Sequence, residues 1–191
     1  MKLLREKFLA WLLTVDPTRL VFIDETGSNI AMTRTYGRAK RGERLNERVP
    51  RNRGTVITIL GALTVAGFMA PMTIEGGTTK EVFLAWVREV LIPSLQPGDY
   101  VVMDNLGAHK VKEVKTLLEA VGAYAVYLPP YSPDLNPIEL CWSKLKEYLR
   151  TVKARTREEL DRAVGEVLRL VTDEDAIGWF QHSGFDWAQA I

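Results

Sequence analysis

Hydrophobic residues in the first half of the chain fall in short continuous runs rather than at helical spacing. The first run, residues 20–23, has the length of a strand buried on both faces and stops at Asp24. Two β-branched and apolar runs follow over residues 55–65 and 68–74, separated by an alanine–glycine turn. This pattern predicts three consecutive strands, of which the last two form a hairpin.

In the second half, strand-like runs alternate with segments of helical periodicity. Capping-box spacing marks two helix starts, at Thr78 and Thr156, and Asn136 is expected to cap a helix with Pro137 at its first position. The predicted elements are a helix from Thr78 to about Pro93, a strand over 100–103, a helix over 111–121, a strand over 124–128, and helices over 137–150 and 156–171.

This order of elements predicts an α/β fold. Strands joined without helices are most simply antiparallel, whereas strands joined through single helices must be parallel. We therefore expect a mixed five-stranded sheet, three antiparallel strands and then two parallel ones, flanked by helices. We expect three parts in the chain: a helical lead-in over residues 1–18, a main domain over 19–171, and a helical or irregular tail over 172–191.

Composition narrows the class of protein. The 191 residues are 47% hydrophobic and 26% charged, which is typical of one globular domain and unlike a disordered chain. No apolar stretch has the length of a membrane span, and Cys141 is the single cysteine, so an intramolecular disulfide is excluded. We expect a reducing, cytoplasmic setting and no membrane partner.

Charge is segregated along the chain although the net charge is only +1. Residues 34–53 hold eight basic and two acidic side chains, a local charge of +6, whereas the remainder carries −5. This segment could be a solvated loop or a surface that binds a polyanion. The candidate polyanion contacts are Arg34, Arg38, Arg41, Arg48, Arg51 and Arg53.

Three carboxylates stand at the expected ends of elements. Each has an ordinary explanation: Asp24 could cap a turn, Asp104 could form an Asx-turn, and Glu139 could complete the cap at the start of its helix. Taken together, the two aspartates are not explained by turns and caps alone, because charge at the end of an otherwise apolar strand is costly unless something compensates it. A divalent cation would compensate two aspartates that meet at one sheet edge.

The sequences around these acids carry a family resemblance. The segments 22–27 (FIDETG), 102–109 (VMDNLGAH) and 131–139 (YSPDLNPIE) resemble the DDE transposases of bacterial insertion sequences related to the mariner superfamily. The 34 residues between Asp104 and Glu139 match the spacing of that superfamily. The resemblance covers roughly residues 21–150 and implies a ribonuclease H-like catalytic domain.

The resemblance implies metal-dependent cleavage and strand transfer of DNA in cut-and-paste transposition. Asp24, Asp104 and Glu139 would then hold two Mg²⁺ (or Mn²⁺) ions, with Asp24 between them by analogy with the fold. The residues expected to orient these ligands or shape the crevice are Asn105, Asn136 and His109, and a packing role is equally open for His109. Cys141 is expected to take no part.

DNA is the implied partner, both as transposon ends and as target, with a homodimer assembled on it. Lys146 and Arg150 fall on the helical face of Glu139 and are expected to contact phosphates. Complete family members carry helix-turn-helix domains, but only about twenty residues precede the first strand here, so the chain is expected to lack its own end-binding domains. It could be a separately encoded catalytic frame that works with a helix-turn-helix protein, a truncated chain or a domesticated remnant. The expected location is the bacterial or archaeal cytoplasm, at the nucleoid.

Two other interpretations stay open at this level. An inactive or domesticated transposon remnant would bind DNA or protein without cutting. A structure-specific ribonuclease H-like nuclease would use the same acids on a different substrate.

Overall fold

The structure is a computed structural model that describes residues 2–185, so Met1 and the last six residues of the expected tail lie outside the described part. The strands are β1 (Leu20–Asn29), β2 (Val56–Thr64), β3 (Gly67–Glu75), β4 (Tyr100–Met103) and β5 (Tyr124–Tyr127). The helices are α1 (Lys2–Leu12), α2 (Lys80–Trp86), α3 (Lys112–Ala120), α4 (Ile138–Val152), α5 (Arg157–Arg169) and α6 (Asp173–His182).

The five strands form one sheet in the order β3-β2-β1-β4-β5. β1 pairs antiparallel with β2, β2 pairs antiparallel with β3, and the β1–β4 and β4–β5 pairs are parallel. The predicted α/β fold with a mixed five-stranded sheet is confirmed. β1 and β4 are neighbours, which brings the carboxyl end of β4 beside the middle of β1.

The prediction that β1 ends at Asp24 is wrong. β1 pairs with the short strand β4 only over Leu20–Phe22, but its antiparallel ladder with β2 continues to the Asn29–Val56 pair. Because β2 is nine residues long, it supplies backbone hydrogen bonds to β1 after β4 has stopped. Asp24 therefore lies inside a strand, just past the point where the neighbouring strand ends.

The core has two layers because side chains of β1 alternate between the two faces of the sheet. Phe22 faces the layer formed by α1, α4, α5 and α6, where its ring lies 5.3 Å from that of Phe180. Val21 and Ile23 face α2 and α3, together with the fully buried Trp86. Phe180 and Phe185, which follow residue 172, thus share the main core. The expected division of the chain at residues 18 and 171 stays a prediction.

Two predicted helix caps are wrong and one is confirmed. Thr79, not Thr78, accepts the Val82 N–H at the start of α2. Asn136 does not cap α4, because it closes a 3₁₀ turn over Pro133–Leu135 and its side chain is buried. The capping box between Thr156 and Glu159 is present at α5. No helix within residues 2–185 is both long enough and apolar enough to cross a membrane.

Candidate active site

Asp24, Asp104 and Glu139 line one open crevice at the carboxyl end of β4. Its volume is about 420 Å³, and its far wall is the proline-rich loop over residues 129–136. Sheets of this kind collect ligands beyond the carboxyl ends of their parallel strands. The fold therefore brings together three acids that are separated by up to 115 positions in the sequence.

Asp104 follows the last residue of β4 and is held by two donors on the same oxygen. Its Oδ1 accepts the Leu106 backbone N–H at 2.9 Å and lies 2.6 Å from Nδ1 of His109. Partial burial alone would raise the pKa of the Asp104 carboxyl, but these hydrogen bonds outweigh it and lower the pKa. Asp104 is thus an oriented carboxylate that stays ionised.

Asp24 is more buried than Asp104 and carries charge at greater cost. Burial is the largest cause that raises the pKa of its carboxyl to about 7, and the charges of Glu139 and Asp104 add to it. The indole N–H of Trp142 donates to Asp24 Oδ2 at 3.1 Å, which favours the ionised form but does not offset the other effects. Ionised Asp24 therefore carries a negative charge that no basic side chain of the crevice stabilises.

Glu139 stands in the first turn of α4 and is exposed to solvent. Within residues 2–185 the three acids do not form a ready-made group of three metal ligands, so they share a crevice rather than one coordination sphere. Mg²⁺ commonly takes only one or two protein carboxylates and keeps water or phosphate in its remaining positions. The oxygen donors of Asp24 and Asp104 and the costly charge of Asp24 fit such an ion, and Glu139 lines the same cavity.

His109 is completely buried behind Asp104, out of reach of a substrate phosphate. Its ring packs on Phe83 with centroids 4.4 Å apart, and its Nε2 lies 3.6 Å from Glu25 Oε2. That separation is an ionic contact rather than a hydrogen bond, so both atoms are buried without a hydrogen-bond partner. Burial opposes a charge on His109, yet Asp104 and Glu25 raise its pKa to about 9.

The carboxylate of Glu25 turns inward rather than into solvent. The side chain keeps 23% exposure, but Oε2 is buried against the imidazole of His109. The two acids on either side of His109 explain why a histidine without solvent contact can carry a positive charge.

The two asparagines expected near the ligands also line the crevice. Asn105 donates from Nδ2 to the Leu128 carbonyl at 2.7 Å and so joins the ends of β4 and β5. Asn136 is buried, and its Oδ1 has no hydrogen-bond partner among the described residues. Their role in orienting ligands stays a prediction.

Sequence reasoning missed two residues that shape this crevice. Trp142 packs in the core at 2% exposure, and its indole N–H also donates to Asp24. Its position three residues after Glu139, on the same helical face, was the available signal. Arg5 on α1 binds both carboxylate oxygens of Asp134 at 2.6 and 2.9 Å and donates to Ser132 Oγ at 2.8 Å. No sequence pattern links Arg5 to a loop more than 120 residues away.

The basic side chains fall into two groups. Arg34, Lys146 and Arg150 line one groove of about 650 Å³ that runs along α4 on the face of Glu139. The remaining candidates lie on an exposed segment, residues 32–55, which forms neither helix nor strand and which we call the basic segment. They are Arg38, Arg41, Arg48, Arg51 and Arg53. Their contact with DNA stays a prediction.

Comparison with solved structures identifies the fold. A pre-cleavage Mos1 transpososome matches with a TM-score of 0.74 at 17% identity, over 95% of this chain and 57% of that chain. The mariner Mos1 paired-end complex with Mg matches at 0.73 and 17%, over 97% and 60%. The catalytic domain of Mos1 mariner transposase matches at 0.62 and 15%, over 94% and 84%. The expected ribonuclease H-like fold is confirmed.

The chain spans a little over half the length of the full transposase chains it matches. No curated protein has a sequence that matches it significantly. The family model described as DDE superfamily endonuclease matches residues 19–161, which include all three acids and three quarters of the chain. The chain therefore belongs to the DDE superfamily endonuclease family.

Proposed function

We propose that this chain is the catalytic core of a cut-and-paste DNA transposase, which cleaves DNA strands and transfers them with divalent metal. The observation that carries the proposal is the meeting of Asp24, Asp104 and Glu139 in one crevice of a DDE endonuclease fold. The pKa of Asp24, raised first by burial and further by the charges of Glu139 and Asp104, supports the proposal, because a bound cation would stabilise the ionised carboxyl. The structural neighbours include Mos1 paired-end complexes with Mg and with Mn.

Asp24, Asp104 and Glu139 would together hold two Mg²⁺ or Mn²⁺ ions. Such ions, when bound, activate a water or a 3′-hydroxyl and stabilise the leaving 3′-oxygen in an in-line displacement. The residues behind the ligands fix their geometry: Trp142 holds Asp24 through its indole N–H, and His109 holds Asp104. Cys141 is buried, and burial raises the pKa of its thiol to about 12, so it is not a nucleophile.

DNA would approach along the groove beside α4. Arg34, Lys146 and Arg150 present positive charge there, and Lys146 lies roughly 10 Å along the helix axis from Glu139 at 1.5 Å per residue. Contacts of this kind bind phosphate without reading sequence, and they weaken as salt rises. The basic segment would add further phosphate contacts.

A homodimer on paired DNA ends is the proposed assembly, since the solved neighbours include a paired-end complex and a strand transfer complex of Mos1 transposase. Nothing in the comparisons supports a separately encoded helix-turn-helix protein, and that partner stays a prediction. A bacterial or archaeal cytoplasmic location at the nucleoid would follow from the proposed substrate.

The test is a DNA cleavage assay with a metal titration. We expect strand breaks in Mg²⁺ or Mn²⁺ and none in chelator, with cutting scattered along the DNA because non-specific binding has a Kd of about 10⁻⁴ to 10⁻⁶ M. Asp24→Asn, Asp104→Asn and Glu139→Gln should each lower the rate by about 10³-fold or more, since metal-bound transition-state charge is worth several kcal/mol. Glu119→Gln, an exposed acid on α3, is the matched control.

Three outcomes would contradict the proposal. Cleavage by any of the acid variants at the parent rate would remove that residue from the site. Cleavage of the RNA strand in an RNA–DNA hybrid in preference to DNA would favour the ribonuclease H-like alternative. Equal DNA binding with metal and with chelator, without any strand breaks, would identify an inactive remnant.

A further inference from the structure

Tyr131 is a large aromatic residue that stands almost entirely in solvent at the rim of the catalytic crevice. It is 89% exposed, and it lines the same cavity as Asp24, Asp104 and Glu139. Exposed aromatic rings are common enough singly that exposure alone needs no explanation. The position of Tyr131 beside three candidate metal ligands, however, needs an explanation.

The backbone of Tyr131 adopts a conformation that tyrosine disfavours. Its φ is +56°, in the left-handed region where the Cβ atom crowds the following carbonyl. A strained backbone conformation of this kind is kept only when surrounding contacts hold it, and such residues cluster at active sites and ligand clamps. Glycine or asparagine at this position would relieve the strain, so the ring is present at a cost to the fold.

The surroundings of Tyr131 do hold the loop in place. Arg5 binds Asp134 through two hydrogen bonds and Ser132 through a third, and Ser132 is only 4% exposed. Proline residues stand at 129, 130 and 133, where each fixes its own φ. α1 and the prolines therefore present the ring of Tyr131 in one place without packing it into the core.

We propose that Tyr131 is a base-stacking residue, which receives a nucleobase of the DNA strand whose phosphate lies at the carboxylates. The inference rests on the proposed function and names one contact within it. A base inside a duplex has both faces covered, so the ring can take only a base that is flipped out or lies at an unpaired strand end. Stacking of a base on an aromatic side chain tolerates any sequence, which suits a catalytic core that does not read DNA.

Other exposed tyrosines lack this arrangement. Tyr124, 52% exposed on β5, stacks on Tyr100 with centroids 5.3 Å apart, and it lies away from the crevice. Tyr36 lines the basic groove rather than the carboxylate cavity. Of these three, Tyr131 is the one whose ring and the acids border the same space.

The test uses 2-aminopurine, a base whose fluorescence falls when it stacks, in the Glu139→Gln background so that the DNA stays intact. One oligonucleotide carries the label in an unpaired 3′ end and a second carries it within a duplex. The Glu139→Gln chain with Tyr131 intact, which is the parent chain here, should quench the unpaired label and leave the duplex label unchanged. Tyr131→Phe should keep the quenching, and Tyr131→Gly should abolish it and weaken binding of the unpaired end about five- to a hundredfold.

Two controls separate stacking from damage to the fold. Tyr124→Ala removes an exposed ring elsewhere and should leave quenching intact. Tyr131→Gly should melt at the parent temperature or above it, because glycine accepts the positive φ. A lowered melting temperature together with lost quenching would show that Tyr131 serves the fold, and it would overturn the inference.

Quenching that persists in Tyr131→Gly, or that is absent in the parent chain, would also overturn the inference. If Tyr131→Gly left the fluorescence unchanged but altered the sedimentation of the protein–DNA complex, the ring would contact a second protein chain instead. Failure of the proposed function looks different: a chain that quenches through Tyr131 but cuts no DNA in metal would lose its assignment as a transposase core and keep this contact.

Discussion

The catalytic crevice and the basic segment both carry concentrated charge, but they are built in opposite ways. In the crevice, Asp24 and Asp104 are each held by a buried side chain, Trp142 and His109. In the basic segment the side chains are exposed, and the chain forms neither helix nor strand over residues 32–55. The acids of the crevice are thus held in fixed positions, whereas the arginines of the basic segment are close in sequence but not fixed by buried partners.

The basic segment is tied to the core near its two ends. Arg155 donates from Nη1 to the carbonyls of Ile30 and Met32 at 2.9 and 3.1 Å, where the segment begins. Within it, Glu47 pairs with Lys153 at the end of α4. Gly54 lies close against the Ile30 side chain, where an added Cβ would approach to 2.5 Å.

The difference follows from what each region is proposed to bind. Metal ions that act on a phosphodiester require ligand oxygens fixed to within fractions of an ångström, so buried partners must orient the acids. Phosphate contacts along DNA depend on charge and tolerate variable geometry. The following experiments address this contrast, with the crevice first.

The largest expected effect comes from His109→Ala. The substitution leaves the partly buried Glu25 and Asp104 side chains without their shared partner and opens a gap beside Phe83. We expect the free energy of unfolding to fall by about 2 to 4 kcal/mol, measured by urea denaturation. Cleavage at saturating metal should slow by about 10- to 100-fold, because Asp104 loses its orienting contact.

His109→Asn and His182→Ala are the comparisons for this variant. Asn keeps a donor near Asp104 but cannot reach Glu25, so it should recover part of the activity. His182 is the other histidine of the chain and is exposed, so its loss should change neither property. Unchanged stability and cleavage rate in His109→Ala would show that the side chains of the crevice are held no more firmly than those of the basic segment.

A smaller effect is expected from Asp24→Asn without metal, and it should depend on pH. The pKa of Asp24 is raised from 3.8 to about 7 in the fold, so the folded protein keeps a proton that the unfolded chain has lost. The parent protein therefore loses stability as pH rises from about 4 to 7, and the variant does not. At pH 8 the variant should be more stable by about 1 to 3 kcal/mol, below the upper limit set by ~1.4 kcal/mol per pKa unit.

Thermal or urea unfolding at pH 4, 6 and 8 measures this difference. The gap between the two proteins should vanish near pH 4, where both forms are neutral at this position. Added Mg²⁺ should stabilise the parent protein and have little effect on Asp24→Asn. A difference in stability that is constant with pH would mean that the pKa of Asp24 is not raised in the folded protein.

The smallest effect on stability is expected in the basic segment. Replacing Arg48, Arg51 and Arg53 with alanine should change the free energy of unfolding by less than ~0.5 kcal/mol, as is usual for exposed sites. DNA binding should weaken, and its dependence on salt should flatten by roughly 0.9 log units per lost phosphate contact.

A titration of DNA affinity against salt concentration checks the basic-segment prediction. Lys7, Lys112 and Lys115, which are exposed outside this segment, are a matched set for the same charge change. An equal loss of affinity from both sets would mean that net charge matters and the segment does not. An unchanged salt slope would return residues 34–53 to the role of a solvated loop.

The prediction of the elements from sequence succeeded where local pattern decides the outcome. The continuous apolar runs of β2, β4 and β5, and the helical spacing of α4 and α5, occur close to the predicted positions because burial of one face suffices to select them. The boundary of β1 was wrong, because its extension depends on hydrogen bonds from β2, which is distant in sequence.

The candidate site divides in the same way. The family resemblance of three motifs singled out Asp24, Asp104 and Glu139, and the two aspartates also follow otherwise apolar runs, where a metal site would compensate their charge. Their supporting contacts were not predictable, because Trp142 reaches Asp24 across 118 positions and Arg5 reaches Ser132 across 127.

The amino-acid sequence alone determined the class of fold, the three acids and the segregation of positive charge, because periodicity, residue type and local charge are properties of neighbouring residues. Only the tertiary structure decided that Glu25 turns inward to His109, that Trp142 serves Asp24, and that Tyr131 stands strained at the crevice. Each of these depends on which distant surfaces pack together, and packing assigns a side chain its partners, its solvent exposure and its pKa.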